Sequence, residues 1–236
     1  MKPEELVSLI RALWADPEAT PGKIVLITRL GAAKVHSMLP PLVRAVKASG
    51  LLPVWTCDPM HGNTTKAPTH GLKTRNFDDI VSELRQTIEI HDAMGTRLGG
   101  VHFELTGENV TECTGGPQGL KESDLPMRYT TYCDPRLNYA QSMELAFLMA
   151  RHLATNRVSS SMDLSAVPLA AKPIGSWARA WSLSELPNGE AARAALAELR
   201  KEGERERAGV EGKGAEGKGA ATGGGGDASK GVGVAE

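Results

Sequence analysis

A chain of 236 residues can bury a full hydrophobic core, so one domain, or one domain followed by a tail, is expected. A formal net charge of -1 and a pI near 6.6 give no basic excess, which argues against nucleic acid and anionic membranes as partners and for small molecules. The three cysteines, Cys57, Cys113 and Cys133, are odd in number and unpatterned, so reduced thiols are expected rather than a disulfide framework.

The apolar runs fall well short of the roughly 20 residues that span a bilayer. The opening Met1-Lys2-Pro3-Glu4-Glu5 is acidic where a secretory signal is apolar and a transit peptide basic. A cytoplasmic address is expected.

In chain order, Pro3 to Trp14 places Leu6, Leu9, Ile10 and Leu13 at helical spacing, with Pro3 and two glutamates in the first turn. The aliphatic run Lys23 to Thr28 predicts a strand buried on both faces. Lys34 to Ser49 is apolar at helical intervals and stops at Gly50, with Pro40-Pro41 as a candidate kink. Leu52 to Cys57 predicts a strand, and Asp58 to Asn76 a long polar loop. Phe77 to Leu98 predicts an amphipathic helix closed by Gly99-Gly100. Val101 to Thr106 predicts a third strand, Tyr129 to Cys133 a fourth, and Asn138 to Ala154 the last core helix.

Beyond about Arg157 the pattern changes. Residues 158–208 are expected to be peripheral, with Trp177 and Trp181 on one helical face and an Ala-rich helical pattern over Glu190 to Arg207. Residues 209–236 are Gly-rich with little to bury and predict a disordered tail.

Strands alternating with helices imply a parallel sheet with helical crossovers, which a doubly wound sheet and a (β/α)8 barrel both satisfy. Neither GxGxxG nor GxxxxGK[ST] follows a strand. Polar groups instead follow each predicted strand: Arg29, then Asp58 and His61, then Glu104 to Glu108, then Asp134 and Arg136. Barrel enzymes gather chemistry at the C-terminal ends of several strands. The expectation is therefore an α/β fold, about four β/α units over 1–157 forming the C-terminal half of a TIM barrel.

Each of these groups alone has an ordinary explanation: a surface or capping histidine, a core ion pair, an Asp-Pro turn. Together, one His, one Glu and one Asp at successive strand ends can converge on one divalent cation, and a mixed imidazole and carboxylate set suits Mn, Fe, Co or Zn. Arg29 beside them would supply a planar fork for a phosphate or carboxylate. The residues by themselves stop at a metal-assisted enzyme acting on anionic substrates.

Four segments carry a closer likeness: Leu26-Ile27-Thr28-Arg29, Asp58-Pro59-Met60-His61-Gly62-Asn63-Thr64, Thr106-Gly107-Glu108-Asn109-Val110-Thr111-Glu112-Cys113 and Cys133-Asp134-Pro135-Arg136-Leu137-Asn138. They resemble the signatures of the class II 3-deoxy-D-arabino-heptulosonate-7-phosphate (DAHP) synthases, and the resemblance runs from about Lys2 to Ala154. It implies a (β/α)8 barrel and a metal, Mn2+ first and Co2+ or another divalent ion as alternatives, held by Cys, His, Glu and Asp. His61, Glu104 and Asp134 match the last three. Arg29 matches an arginine that grips phosphoenolpyruvate, and Asp58, Glu108 and Asn109 are candidates for orienting the ligands.

Neither Cys57 nor Cys133 matches the family's metal-binding cysteine, which, with further basic substrate-binding groups, belongs to a region that these residues do not contain. The implied reaction condenses phosphoenolpyruvate with erythrose 4-phosphate to DAHP and phosphate, the first step of the shikimate pathway. A homo-oligomer, or pairing with a missing N-terminal half, is expected. The alternative is a non-catalytic remnant or interaction module that associates with another synthase chain.

Overall fold

The computed structural model describes residues 1–20, 22–158, 194, 197–202, 204 and 205. The expected tail at 209–236, the Trp177 and Trp181 face and most of 158–208 lie outside the described residues. Residues 197–202 are helical, as the Ala-rich pattern predicts, and Leu199 is buried against the first core cluster.

The first helix, α1 (Pro3–Leu13), begins where Pro3 needs no amide partner and the Glu5 carboxylate accepts the Lys2 backbone N–H at 2.9 Å. It buries Leu6 and Ile10 against α2 (Val35–Ala48), which runs through Pro40 and Pro41 and presents Leu39, Val43 and Val46. Each such fully buried aliphatic side chain contributes about 1.5–3 kcal/mol. The third helix, α3 (Phe77–Ala93), is capped by the Asn76 side chain, which accepts the Asp78 N–H at 2.8 Å. Its Ile90 and Ala93 join the α1 and α2 cluster while Phe77, Ile80, Leu84 and Ile88 join a second one. That position between two cores explains why it also buries Glu83, Arg85, Gln86, Thr87 and His91. The last helix, α4 (Tyr139–Val158), starts with a reciprocal box in which Asn138 and Gln141 side chains each accept the other's backbone N–H.

Strands β1 (Val25–Thr28), β2 (Val54–Cys57) and β5 (Leu98–Val101) form a parallel sheet in the order β1-β2-β5, with Val25 opposite Val54 and Cys57 opposite Val101. The ladder continues past the strand ends: the Asp58 N–H donates to Thr28 O and the His102 N–H to Cys57 O, both at 2.8 Å. Site residues therefore leave the sheet with their backbones still paired. Among the described residues, no helix is long and apolar enough to cross a membrane.

Several expectations are corrected, the first being that β1 is buried on both faces: its Val25 and Ile27 are exposed. The third strand lies at Leu98–Val101, earlier than Val101 to Thr106, and α3 ends at Ala93. Gly99 and Gly100, expected to stop a helix, are in the strand because β2 is too close for side chains: a Cβ on Gly99 would lie 2.8 Å from Val54 Cγ1.

Tyr129 to Cys133 is not a strand. The Thr130 and Thr131 N–H groups donate to the buried Glu112 carboxylate at 3.1 and 2.9 Å, so they are spent on a side chain and not on a ladder. The fourth parallel neighbour is reduced to one bridge, Leu105 with Leu137, in which the Leu137 N–H donates to Glu104 O and the Thr106 N–H to Leu137 O, each at 2.9 Å.

The expected loop 58–76 contains a hairpin, β3 (Thr64–Lys66) and β4 (Lys73–Arg75). Described by its well-formed elements, the molecule is a mixed α/β structure with a parallel sheet and helices packed on it.

Candidate metal centre

His61 follows β2 and is held by Asp58. The Asp58 Oδ1 accepts the backbone N–H groups of Met60 and His61 at 3.0 and 3.2 Å, while its Oδ2 lies 2.7 Å from His61 Nδ1. A buried carboxylate acceptor there keeps the imidazole proton on Nδ1, which leaves the Nε2 lone pair free for a cation. His61 Nε2 lies 3.5 Å from Glu104 Oε1.

Glu104 follows β5 and is set by Arg75 of β4. The guanidinium is fully buried; its Nη1 donates to Glu104 Oε2 at 2.5 Å and to the Pro135 carbonyl, and its Nε donates to Thr64 Oγ1 at 2.8 Å. Its Nη2 has no acceptor among the described residues.

Asp134 pairs with Lys73 of β4 at 2.8 Å, and this hydrogen bond holds its carboxyl below the usual carboxylate range. The loop around Asp134 is fixed from beneath by Glu112, whose two oxygens take the Arg136 backbone N–H, Nε and Nη2 at 2.8, 3.0 and 2.7 Å. Although burial opposes ionisation of Glu112, these donors win and its pKa is lowered.

One ligand atom each from His61, Glu104 and Asp134 fall within 4.8 Å of one another. An imidazole and two carboxylates at that spacing fit a divalent transition ion, and all three side chains are partly accessible. Asp58, His61 and His102 also meet within 4.8 Å. The Asp58 oxygens are already committed to His61 and two amides, so the first group is the better ligand set.

Of the other expected site residues, Asp58 touches His61, as described. Arg29 is exposed directly after β1. Its loop is tied to the His61 loop through buried Glu83, whose carboxylate accepts the Leu30 and Gly31 N–H groups at 2.9 and 3.0 Å and the Asn63 Nδ2–H at 2.8 Å. Glu108 does not join the group; it pairs with Arg128 at 3.1 Å on the surface, and Asn109 is exposed beside it.

Burial pushes the Cys57 and Cys113 thiols up to about 12, and among the described residues neither belongs to a group of converging ligands; Cys133 is exposed.

Sequence reasoning did not assign Arg75, Lys73, Glu83 or Glu112. Lys73 and Arg75 stand two apart on a short strand and so share a face, the one local signal available for them.

The chain is 53% identical over 151 residues to "Phospho-2-dehydro-3-deoxyheptonate aldolase AroG" of Mycolicibacterium smegmatis, covering 64% of this chain and 32% of that protein. It is 52% identical over 155 residues to "Phospho-2-dehydro-3-deoxyheptonate aldolase" of Neurospora crassa, covering 65% of this chain and 32% of that protein. The chain thus spans about a third of the length of these curated relatives. The profile of the class-II DAHP synthetase family matches residues 1–150, which include every one of the three converging ligands and the groups that hold them. The chain belongs to the class-II DAHP synthetase family.

Proposed function

We propose that this chain carries the metal-binding part of a DAHP synthase active site, which condenses phosphoenolpyruvate with erythrose 4-phosphate and releases phosphate. The convergence of His61, Glu104 and Asp134 within 4.8 Å carries the reading. The order β1-β2-β5, extended by the Leu105 and Leu137 bridge, supports taking residues 1–157 as consecutive units of a (β/α)8 barrel.

In this scheme His61, Glu104 and Asp134 hold a divalent cation, Mn2+ first, which supplies Lewis acidity for the aldehyde oxygen when bound. Arg29 neutralises and orients the anionic phosphoenolpyruvate, so that its enol carbon faces the aldehyde. Asp58 keeps the His61 ring turned toward the cation, and Glu112 with Arg136 fixes the loop that presents Asp134. The resemblance also calls for a cysteine ligand and further basic groups, so the isolated chain is expected to be inactive.

The test is product formation. The purified chain with Mn2+, phosphoenolpyruvate and erythrose 4-phosphate is expected to show negligible turnover. Co-expression with the non-overlapping part of the Mycolicibacterium smegmatis relative restores DAHP synthesis, and His61→Ala abolishes what is restored. Full activity in the restored His61→Ala assembly sinks the assignment.

A second reading, a non-catalytic module that docks on another synthase chain, is favoured by the edge strand β1, where Val25 and Ile27 are 52% and 54% exposed. Binding of the chain to the complementary part without any restored turnover would support it.

A further inference from the structure

We propose that Arg75 determines which divalent ions the centre accepts, by restricting Glu104 to one ligand oxygen. The inference rests on the metal reading above.

Arg75 is fastened on both sides. Across the hairpin it stands opposite Thr64, whose hydroxyl takes its Nε–H at 2.8 Å, and its own carbonyl accepts the Thr114 N–H at 2.9 Å. The guanidinium cannot follow a moving carboxylate, so Glu104 adapts to it. With Nη1 on Glu104 Oε2 at 2.5 Å, that oxygen is committed, and Oε1 is the one that faces His61 Nε2 at 3.5 Å. The same Nη1 donates to Pro135 O, next to Asp134, so one buried cation sets both carboxylate-bearing segments.

Ions differ in what they ask of a carboxylate. Ca2+ gathers six to eight oxygens and commonly uses both oxygens of a carboxylate, whereas Mn2+ and Co2+ are satisfied by fewer ligands that include imidazole. A Glu104 pinned through Oε2 removes an oxygen that Ca2+ would use and costs Mn2+ nothing. Two competing effects of Arg75 do not discriminate in this way. Its positive charge opposes all divalent ions alike, and a general loosening of the site would weaken all of them alike. The ratio of affinities isolates the proposed role.

The experiment measures Mn2+ binding to the full chain from the electron paramagnetic resonance of free Mn2+, and Ca2+ binding by displacement of bound Mn2+. In Arg75→Met the Mn2+ to Ca2+ affinity ratio is expected to fall by about tenfold or more, whereas Arg75→Lys, which keeps a charge and a donor, stays within about threefold of the parent. An unchanged ratio in Arg75→Met overturns the proposal.

Should Arg75→Met lose its cooperative melting transition, Thr64→Val carries the test. It removes only the Nε acceptor and is expected to lower the ratio by about threefold, and an unchanged ratio there overturns the proposal equally. His61→Ala separates the two levels of inference. If it binds Mn2+ as tightly as the parent, the metal reading itself falls; if it loses Mn2+ while Arg75→Met keeps the parent ratio, only the role of Arg75 falls.

Discussion

A Cβ atom on Gly62 would lie 2.4 Å from the backbone nitrogen of Gly31, so the loop after β1 and the loop after β2 meet glycine to glycine. Gly31 has φ +89° and its own Cβ would stand 2.8 Å from Gly62 O, so neither position has room for a side chain. Around this contact Glu83 takes the Leu30 and Gly31 amides, while Asn63 bridges Glu83 and the Ala32 N–H. Arg29 and His61 are thus carried by loops clamped to each other.

Gly62→Ala must therefore displace backbone, because the nearest atoms are Gly31 N, Gly31 Cα and Leu30 C and none belongs to a flexible side chain. The expected cost is about 1–3 kcal/mol of unfolding free energy, read from urea denaturation, together with weaker Mn2+ binding. A variant as stable as the parent would mean that the two loops are not in contact.

Asp58→Asn keeps the volume and an oxygen for the Met60 and His61 amides but removes the charge that backs the imidazole. Mn2+ affinity is expected to drop by about 10–100-fold. Stability should change by no more than about 1–2 kcal/mol, since the turn keeps its acceptor. Calorimetric titration with Mn2+ checks the first and thermal melting the second; undiminished affinity would show that Asp58 does not orient His61.

His91, which belongs to neither group of converging ligands, gives a pH dependence of its own. It is buried against Trp55, with Nδ1 2.8 Å from Thr96 Oγ1, and burial lowers its pKa from 6.5 to about 4. Between those values the unfolded chain binds a proton that the folded chain refuses, so this contribution is present above pH 6.5 and is lost as pH falls toward 4. At pH 5 the loss is about 2 kcal/mol relative to pH 7. In His91→Gln this part of the acid sensitivity should disappear, which urea midpoints of both proteins at pH 7 and pH 5 will show. Equal losses in the two proteins would contradict a neutral buried His91.

The reach of sequence reasoning is clearest where neighbours decide the outcome. Helices α1, α2 and α3 were readable from apolar spacing, and the first two also from Pro3 and Gly50 at their ends, because helix formation is settled by residues three and four apart. Strands β1 and β2 were readable as aliphatic runs. His61 and Glu104 were nameable because polar groups that follow strands stand out against such runs, whereas Asp134 was named after a strand that does not form, and the roles of all three were implied by the likeness to a family.

Distant partners decided the rest. Leu98–Val101 is a strand because β2 lies against its two glycines, and Tyr129 to Cys133 is not one because Glu112, at a distance in sequence, takes its amides. Arg75 reaches Glu104 29 residues on and Lys73 reaches Asp134 61 residues on. Local composition determined which segments coil or extend and which carry reactive side chains. Which charges face one another, and which oxygen of a carboxylate stays free, depended on chain paths that only the packed structure fixes, since electrostatic pairing acts across space and is indifferent to sequence separation.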